Sequence, residues 1–491
     1  MEQNKINTLL SFLMLFCFVT TEAQTFDFAK RIADSYEKFR NENINTRRFK
    51  HSDLLPLIEK FKERPGFEFN KVGESIEGRS LNLISLGNGE TDVFLWSQMH
   101  GDESTATMAI LDILNFFDSK EFENEKDVIL KNLRIHFLPM LNPDGAEVFT
   151  RRNALGVDVN RDALRLQSPE SRTLKRVRDS LDADFGFNLH DQSRYYNAER
   201  TAEPASISFL APAFNYEKDI NEVRSNAMKL IVIMNEILQK YAPGKVGRYN
   251  DDFEPRAFGD NIQKWGTSTI LIESGGYPED REKQEIRKLN FVAILSALHS
   301  IATNSFQNVK VEEYEKIPNN DRMLFDLKLE KVSYVLGGDE YILDIGINRN
   351  ENDIENNTDF YYSSRVADQG DLSTSYAYES FNADGYTLDF GKIYPQTLQD
   401  TTSLKSLNFS QLLREGVGYV KIKNLPANLD HASYPVNIVS EDFKINSDLR
   451  PGNLATFFLR KNGKIEYAVI NGFLVKPETA SEEVMNALVL D

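Results

Sequence analysis

From residue 24 to about residue 305 the chain alternates short apolar runs with longer stretches whose apolar residues recur at helical spacing. The runs Leu81–Leu86, Asp92–Ser97, Leu133–Met140, Asp184–Leu189, Ser206–Leu210 and Thr267–Ile272 lack strict polar alternation, as strands covered on both faces do. Helical patterns fill the intervals, among them Ser104–Phe117, Glu170–Leu181, Asn221–Tyr241 and Asp280–Ala302. This order predicts an α/β fold with a mixed, largely parallel sheet flanked by helices.

The pattern changes near residue 306. Tyr341–Ile347, Tyr419–Ile422, Ala455–Arg460 and Ile465–Ile470 read as short strands, and Asn462-Gly463 between the last two signals a hairpin, since both turn positions need positive φ. The stretch 348–402, rich in Asn, Asp, Ser and Tyr, predicts long loops. The expected organisation is an α/β domain over 24–305 and a C-terminal β-rich domain over 306–491.

The start of the chain carries Lys5, an apolar segment from Leu9 to Val19, and then Thr20-Thr21-Glu22-Ala23-Gln24. A charged start, a short apolar segment and a small residue before the cut predict a secretory signal over 1–23, cleaved after Ala23. The segment is too short to span a bilayer, which needs roughly 20 apolar residues. The flanks of Cys17 do not resemble a lipoprotein processing site, so an exported product without membrane attachment is expected. Cys17 is the only cysteine and would leave with the signal. A large exported chain without cysteine points to a bacterial periplasm or exterior, because eukaryotic secretory proteins usually acquire disulfides. Hydrophobic residues at 41% and charged residues at 27% describe a globular protein. A formal net charge of −18 argues against nucleic acid as a partner, because phosphate would be repelled.

Four polar residues each stand just past an apolar run: His100 and Glu103 in Met99-His100-Gly101-Asp102-Glu103, His190 after Phe187-Asn188-Leu189, and Glu273 after Ile270-Leu271-Ile272. In open α/β sheets ligands bind outside the carboxyl ends of the strands. His100, Glu103 and His190 supply two imidazoles and a carboxylate, a zinc ligand set that leaves a fourth position for water, and Glu273 is a carboxylate able to take a proton from that water. Gly101 is read as permitting a sharp turn between His100 and Glu103. Arg151-Arg152 and Arg161 add cations that suit a substrate carrying a carboxylate and passing through an oxyanion.

The ordered set His100-x-x-Glu103, Asn142-Pro143-Asp144-Gly145, Arg151, Gly156-x-Asp158-x-Asn160-Arg161, His190 and Glu273-Ser274-Gly275 closely resembles the zinc metallocarboxypeptidases of the carboxypeptidase A/B type, over roughly residues 65–305. The resemblance implies one Zn2+ ion held by His100, Glu103 and His190, with Glu273 as general base. It implies that Arg151, or alternatively Arg152, stabilises the oxyanion, and that Asn160 and Arg161 grip the substrate's free C-terminal carboxylate. Asp158 matches the carboxylate that accepts a hydrogen bond from the first zinc histidine. Tyr249 is the nearest match to the family's mobile tyrosine, at a slightly long spacing, with Phe253 also in the window.

The expected activity is therefore that of a secreted zinc carboxypeptidase acting on peptides. Alternatives on the same zinc site are cleavage of cell-wall peptides, for example at γ-D-glutamyl–diaminopimelate bonds, and deacylation of N-acyl amino acids. The region after residue 306 contains a single histidine, His431, so no second metal site is expected there and an accessory role is.

Overall fold

The computed structural model describes residues 23–426, 429–480 and 487–490. The expected signal segment lies outside the described residues up to position 22. Among the described residues no helix is long and apolar enough to cross a membrane. The chain divides into two compact units, Met1–Arg322 and Met323–Asp491.

The first unit is built on one eight-stranded sheet whose strands are β1 (Phe67–Glu74), β2 (Ser80–Leu86), β3 (Thr91–Ser97), β4 (Leu133–Leu138), β5 (Phe185–Asp191), β6 (Ile207–Leu210), β7 (Val246–Arg248) and β8 (Ser268–Ser274). Their order across the sheet is β1-β2-β4-β3-β5-β8-β6-β7. The four middle strands β4, β3, β5 and β8 are parallel, whereas β2 pairs β4 antiparallel and β6 pairs β8 antiparallel. The sheet is thus mixed with a parallel centre, as the pattern of apolar runs predicts.

The apolar runs lack alternation because both faces of the central strands are covered. In β3, Val93 and Leu95 join the core cluster that holds Ile110 and Leu114 of the helix Thr105–Asp118 and Ile294 and Leu298 of the helix Gln284–Ala302. Phe94 and Trp96 point the other way, into a second cluster with Leu174 and Val177 of the helix Pro169–Leu181 and with Phe258 and Ile262. Two apolar layers leave the strand ends as the place where polar side chains of this sheet collect.

The sequence pattern misses β1, whose residues are half exposed in alternation. The boundary also falls later than 305/306. Phe306, Tyr314 and Ile317 belong to the core of the first unit, so the turns Ser305–Asn308 and Val311–Lys316 stay with it.

The helical segment 23–34 seals one side of this core through Phe28 and Ile32. Phe28 stacks on the His299 ring at 4.9 Å, and Thr25 Oγ1 lies 3.0 Å from His299 Nδ1. Burial lowers the His299 pKa from 6.5 to about 4. The folded state therefore binds fewer protons than the unfolded chain between these values, so this contribution is complete above pH 6.5 and is lost as pH falls towards 4. The loss amounts to about 3 kcal/mol. His299→Gln is expected to flatten the acid limb of a pH-dependent unfolding curve, and an unchanged limb would refute the assignment.

Among the described residues the second unit holds two sheets. The larger runs in the order 360–370, 339–353, 324–336, 387–389, 457–461, 464–470 and 473–475, with 376–382 beside 324–336. The smaller joins 392–393, 417–421, 437–439, 487–490 and 431–432. Asn462 (φ 50°) and Gly463 (φ 77°) form the expected two-residue turn between Lys461 and Lys464. The expectation of long loops over 348–402 is corrected: Asp339–Asp353 pairs with Phe360–Gly370, and Tyr376–Asn382 and Thr387–Asp389 are strands as well. Polar composition misled the reading because these strands are partly exposed and bury few side chains, such as Phe360, Ser364 and Val366.

Candidate metal centre

The central strands are parallel, so β3, β5 and β8 all end at one edge of the sheet. His190 and Glu273 are the next-to-last residues of β5 and β8 and stand directly opposite each other in the strand register. His100 and Glu103 lie in the turn after β3, which begins at Gln98 (φ 53°) and ends at the N-cap Ser104 of the helix Thr105–Asp118. Gln98 Nε2 donates to the Gly101 carbonyl across this turn at 2.9 Å.

Gly101 does not adopt positive φ. A Cβ there would sit 2.0 Å from the Gly145 carbonyl carbon, so glycine is required by the approach of the Asn-Pro-Asp-Gly backbone and not by turn conformation. A Cβ on Gly145 would in turn lie 2.7 Å from the Arg152 carbonyl oxygen. Asn142 caps the short helix Pro143–Glu147, accepting from Gly145 N at 2.9 Å, and its Nδ2 donates to the Arg151 carbonyl at 3.3 Å. The Asn142–Gly145 motif thus carries no reacting group; it is the surface against which the His100–Glu103 turn and the Arg151 backbone are seated.

The side chains converge. Glu103 Oε1 lies 2.8 Å from His100 Nδ1 and Glu103 Oε2 lies 2.7 Å from His190 Nδ1, while the two Nδ1 atoms are 3.2 Å apart. His100, Glu103 and His190, all buried, form one group able to hold a metal ion. Donors around a tetrahedral zinc with bonds of about 2.1 Å are separated by roughly 3.4 Å, so small outward shifts admit the ion. The donor chemistry also fits. His100 Nε2 faces Asp158 Oδ1 at 3.1 Å, so Nε2 is the nitrogen that donates there and Nδ1 is the one turned towards the cluster. His190 Nε2 and Glu273 Oε2 are buried without a hydrogen-bond partner.

The electrostatics favour positive charge at this point. Burial alone would lower the His100 pKa, but Glu103 and Asp158 outweigh it and lift it to about 9. Burial would raise the Glu103 pKa, and the two imidazoles hold it well below the carboxylate range instead. His190 is pushed down by burial. Glu273 is pushed well above the carboxylate range, first by burial and then by the Glu103 charge. One carboxylate in the cluster is anionic and its neighbour proton-avid, a separation typical of paired acid–base groups.

Arg151 spans the group: its Nε donates to Asp158 Oδ2 at 3.0 Å and its Nη1 to Glu103 Oε1 at 3.3 Å. Arg152 turns to solvent and donates to the Gly156 carbonyl at 2.8 Å, away from the cleft. Asn160 and Arg161 line the same cleft as the His-Glu-His group, a space of about 340 Å3. Asn160 Oδ1 accepts from Phe258 N at 2.9 Å, and Arg161 Nε lies 3.4 Å from Glu254 Oε2. Tyr249 also lines the cleft, and its hydroxyl pKa is raised by burial and then by Glu273. Phe253 faces elsewhere, edge-on to Tyr216 at 5.0 Å. Sequence reasoning misses Asn188, Tyr196 and Leu210 as further cleft residues; of these only Asn188, two residues before His190 on a strand, was accessible from alternation.

A buried two-histidine, one-carboxylate group at the carboxyl edge of a mixed sheet defines a zinc hydrolase type of site. Residues 57–208 match the family model described as zinc carboxypeptidase, so this stretch of the chain is similar to a zinc carboxypeptidase domain. The match includes His100, Glu103 and His190; Glu273 and Tyr249 lie beyond it. The chain is 31% identical over 142 residues to the carboxypeptidase N catalytic chain of Homo sapiens, covering 24% of this chain and 31% of that one. It is 30% identical over 175 residues to carboxypeptidase SOL1 of Arabidopsis thaliana, covering 29% and 35%. An uncharacterised protein of Zymomonas mobilis is 26% identical over 145 residues, covering 29% and 37%. The matched stretch spans about a third of the length of these curated relatives. Among solved structures, a metallo-carboxypeptidase from Burkholderia cenocepacia aligns with a TM-score of 0.42 at 17% identity, over 52% of this chain and 69% of that one.

Proposed function

We propose that the protein is an exported carboxypeptidase of a bacterial periplasm or exterior that removes the C-terminal residue of peptides with one Zn2+ ion. The observation that carries this reading is the convergence of His100, Glu103 and His190 with Glu273 opposite His190 in the strand register. His100 Nδ1, Glu103 and His190 hold the ion in this reading. When bound, zinc acts as a Lewis acid that acidifies water and polarises a carbonyl. Glu273 takes the proton from the attacking water and returns it to the leaving amine, a role its burial suits by raising its proton affinity. Arg151 supplies the cation at the developing oxyanion. Arg161 and Asn160 receive the substrate's terminal carboxylate, and Tyr249 closes the cleft beside Glu273.

The side chain of the departing residue meets Asn188, Leu210, Pro212, Gly259, Asp260 and Leu271. Leu210, Pro212 and Leu271 suit an aliphatic stem. Asn188 Oδ1 is buried without a partner, and Asp260 accepts only from backbone N–H groups, with no ion-pair partner among the described residues. The unpartnered Asn188 acceptor and the Asp260 carboxyl, which meets no cation of its own, favour a side chain that donates hydrogen bonds, such as lysine or arginine.

A panel of blocked dipeptides that differ in their last residue, assayed with and without chelator beside peptidoglycan fragments and N-acyl amino acids, tests the reading. Lysine- and arginine-ended dipeptides are expected to exceed leucine-ended ones by at least ~10-fold in kcat/KM, in line with charge-assisted hydrogen bonds in a partly buried site. Asp260→Ala is expected to remove the preference. Turnover confined to cell-wall fragments or acyl amino acids would replace the peptidase reading with the corresponding alternative. Within the second unit no further group of metal-ligating side chains occurs among the described residues, and its proposed role is that of an accessory domain.

A further inference from the structure

We infer that Lys283 is a positioning residue of the metal centre. It acts by tying together the strand ends that carry His190 and Glu273. This rests on the reading of His100, Glu103 and His190 as the zinc ligands.

Lys283 is buried, and its ammonium donates to Asp191 Oδ2 at 3.0 Å and to the Ser274 carbonyl at 2.9 Å. Asp191 directly follows His190 and Ser274 directly follows Glu273, and the two are paired in the register of β5 and β8. One ammonium therefore bridges the positions immediately beyond a zinc ligand and beyond the general base. The bridge continues to the remaining ligand pair. Asp191 N donates to Glu103 Oε2 at 3.2 Å, and Thr105 Oγ1, at the start of the helix after the His100–Glu103 turn, donates to Asp191 Oδ2 at 2.6 Å. Through Asp191, Lys283 touches every chain segment that contributes to the centre except the Arg151–Arg161 loop.

Three unfavourable choices accompany this placement. Lysine is among the residues least often buried. Lys283 has φ 53°, the left-handed conformation that disfavours side chains. It also caps the N-terminus of the helix Gln284–Ala302, the end whose dipole repels a cation. A buried ion pair adds little net stability by itself, so stability does not account for these costs. Orientation does. An ammonium has three donors at fixed angles, and two of them are spent on partners that set the direction of His190 and Glu273.

The test compares zinc affinity of the full chain with that of Lys283→Met, read by competition with a chromophoric chelator, alongside the visible spectrum of the Co2+-substituted protein. Partners that orient zinc ligands typically change metal affinity 10–100-fold. Lys283→Met is expected to weaken zinc binding by about that factor and to shift the Co2+ bands, with kcat falling and KM unchanged, while Lys283→Arg restores part of the affinity. Equal zinc affinity and an unaltered Co2+ spectrum in a folded Lys283→Met protein would overturn the inference. Where Lys283→Met does not fold, Asp191→Asn carries the same expectation, and wild-type affinity there also overturns it. Absence of zinc binding by the wild-type chain would sink the site reading itself, a result distinct from equal binding by wild type and variant.

Discussion

Glu273→Gln is expected to lower turnover of a C-terminally free dipeptide by at least ~10^3-fold while the protein still carries one zinc per chain. Glu273 is buried, stands in register with His190 and has a proton affinity raised by burial and by Glu103. Glutamine keeps the volume and the hydrogen-bonding oxygen but cannot accept the water's proton. It also removes the ionisable group that competes with Glu103 for positive charge, so zinc should bind no less tightly. Metal analysis and steady-state kinetics on the same preparation decide the matter. Loss of zinc together with turnover would mean that Glu273 is a ligand, and near-normal turnover would remove it as the base.

His190→Ala is expected to have the other large effect, loss of both zinc and activity, neither recovered at micromolar zinc. His190 Nδ1 is the donor contributed by β5, 3.2 Å from His100 Nδ1 and 2.7 Å from Glu103 Oε2. Removing it leaves two donors on one turn, and His100 and Glu103 alone do not make a closed three-protein-ligand zinc site. The Glu103 carboxylate would also lose one of the two imidazoles that hold its pKa down in a fully buried position. Atomic absorption on the purified variant and recovery of activity in a zinc titration are the measurements. Retained stoichiometric zinc would show that the ion is held elsewhere.

These two variants separate the parts of the centre that family likeness covers from the part it does not. The family match spans 57–208 and so includes His190, whereas Glu273 lies 65 positions past its end. Glu273 enters the site because β8 lies beside β5 in parallel, with Glu273 opposite His190.

Much of the fold was legible because the relevant signal is local. The central strands bury both faces, so β3 and β8 appear as apolar runs and β5 as one broken by Asn188, and the positions at their ends had to be the polar edge of the sheet. The same rule failed where burial is shallow. β1 and the strands 339–353 and 360–370 leave half their side chains to solvent, so their composition resembles that of loops. Local signal also assigned Gly101 the wrong physical task. The residue type was readable, but the clash it avoids is with Gly145, and such contacts across distant segments leave no trace in spacing.

The amino-acid order by itself determined which residue types are available for chemistry, two histidines, two glutamates and the arginines, and that the histidines and glutamates stand just past apolar runs. Donor type and strand burial are properties of short segments. The tertiary structure separated Arg151, which reaches Glu103, from Arg152, and Tyr249, which lines the cleft, from Phe253, and it alone revealed that Lys283 bridges the ends of β5 and β8. Neighbouring residues in a loop differ in direction rather than in composition. Direction is set by hydrogen bonds to partners such as Asp158 and Asp191, which sequence separation does not reveal.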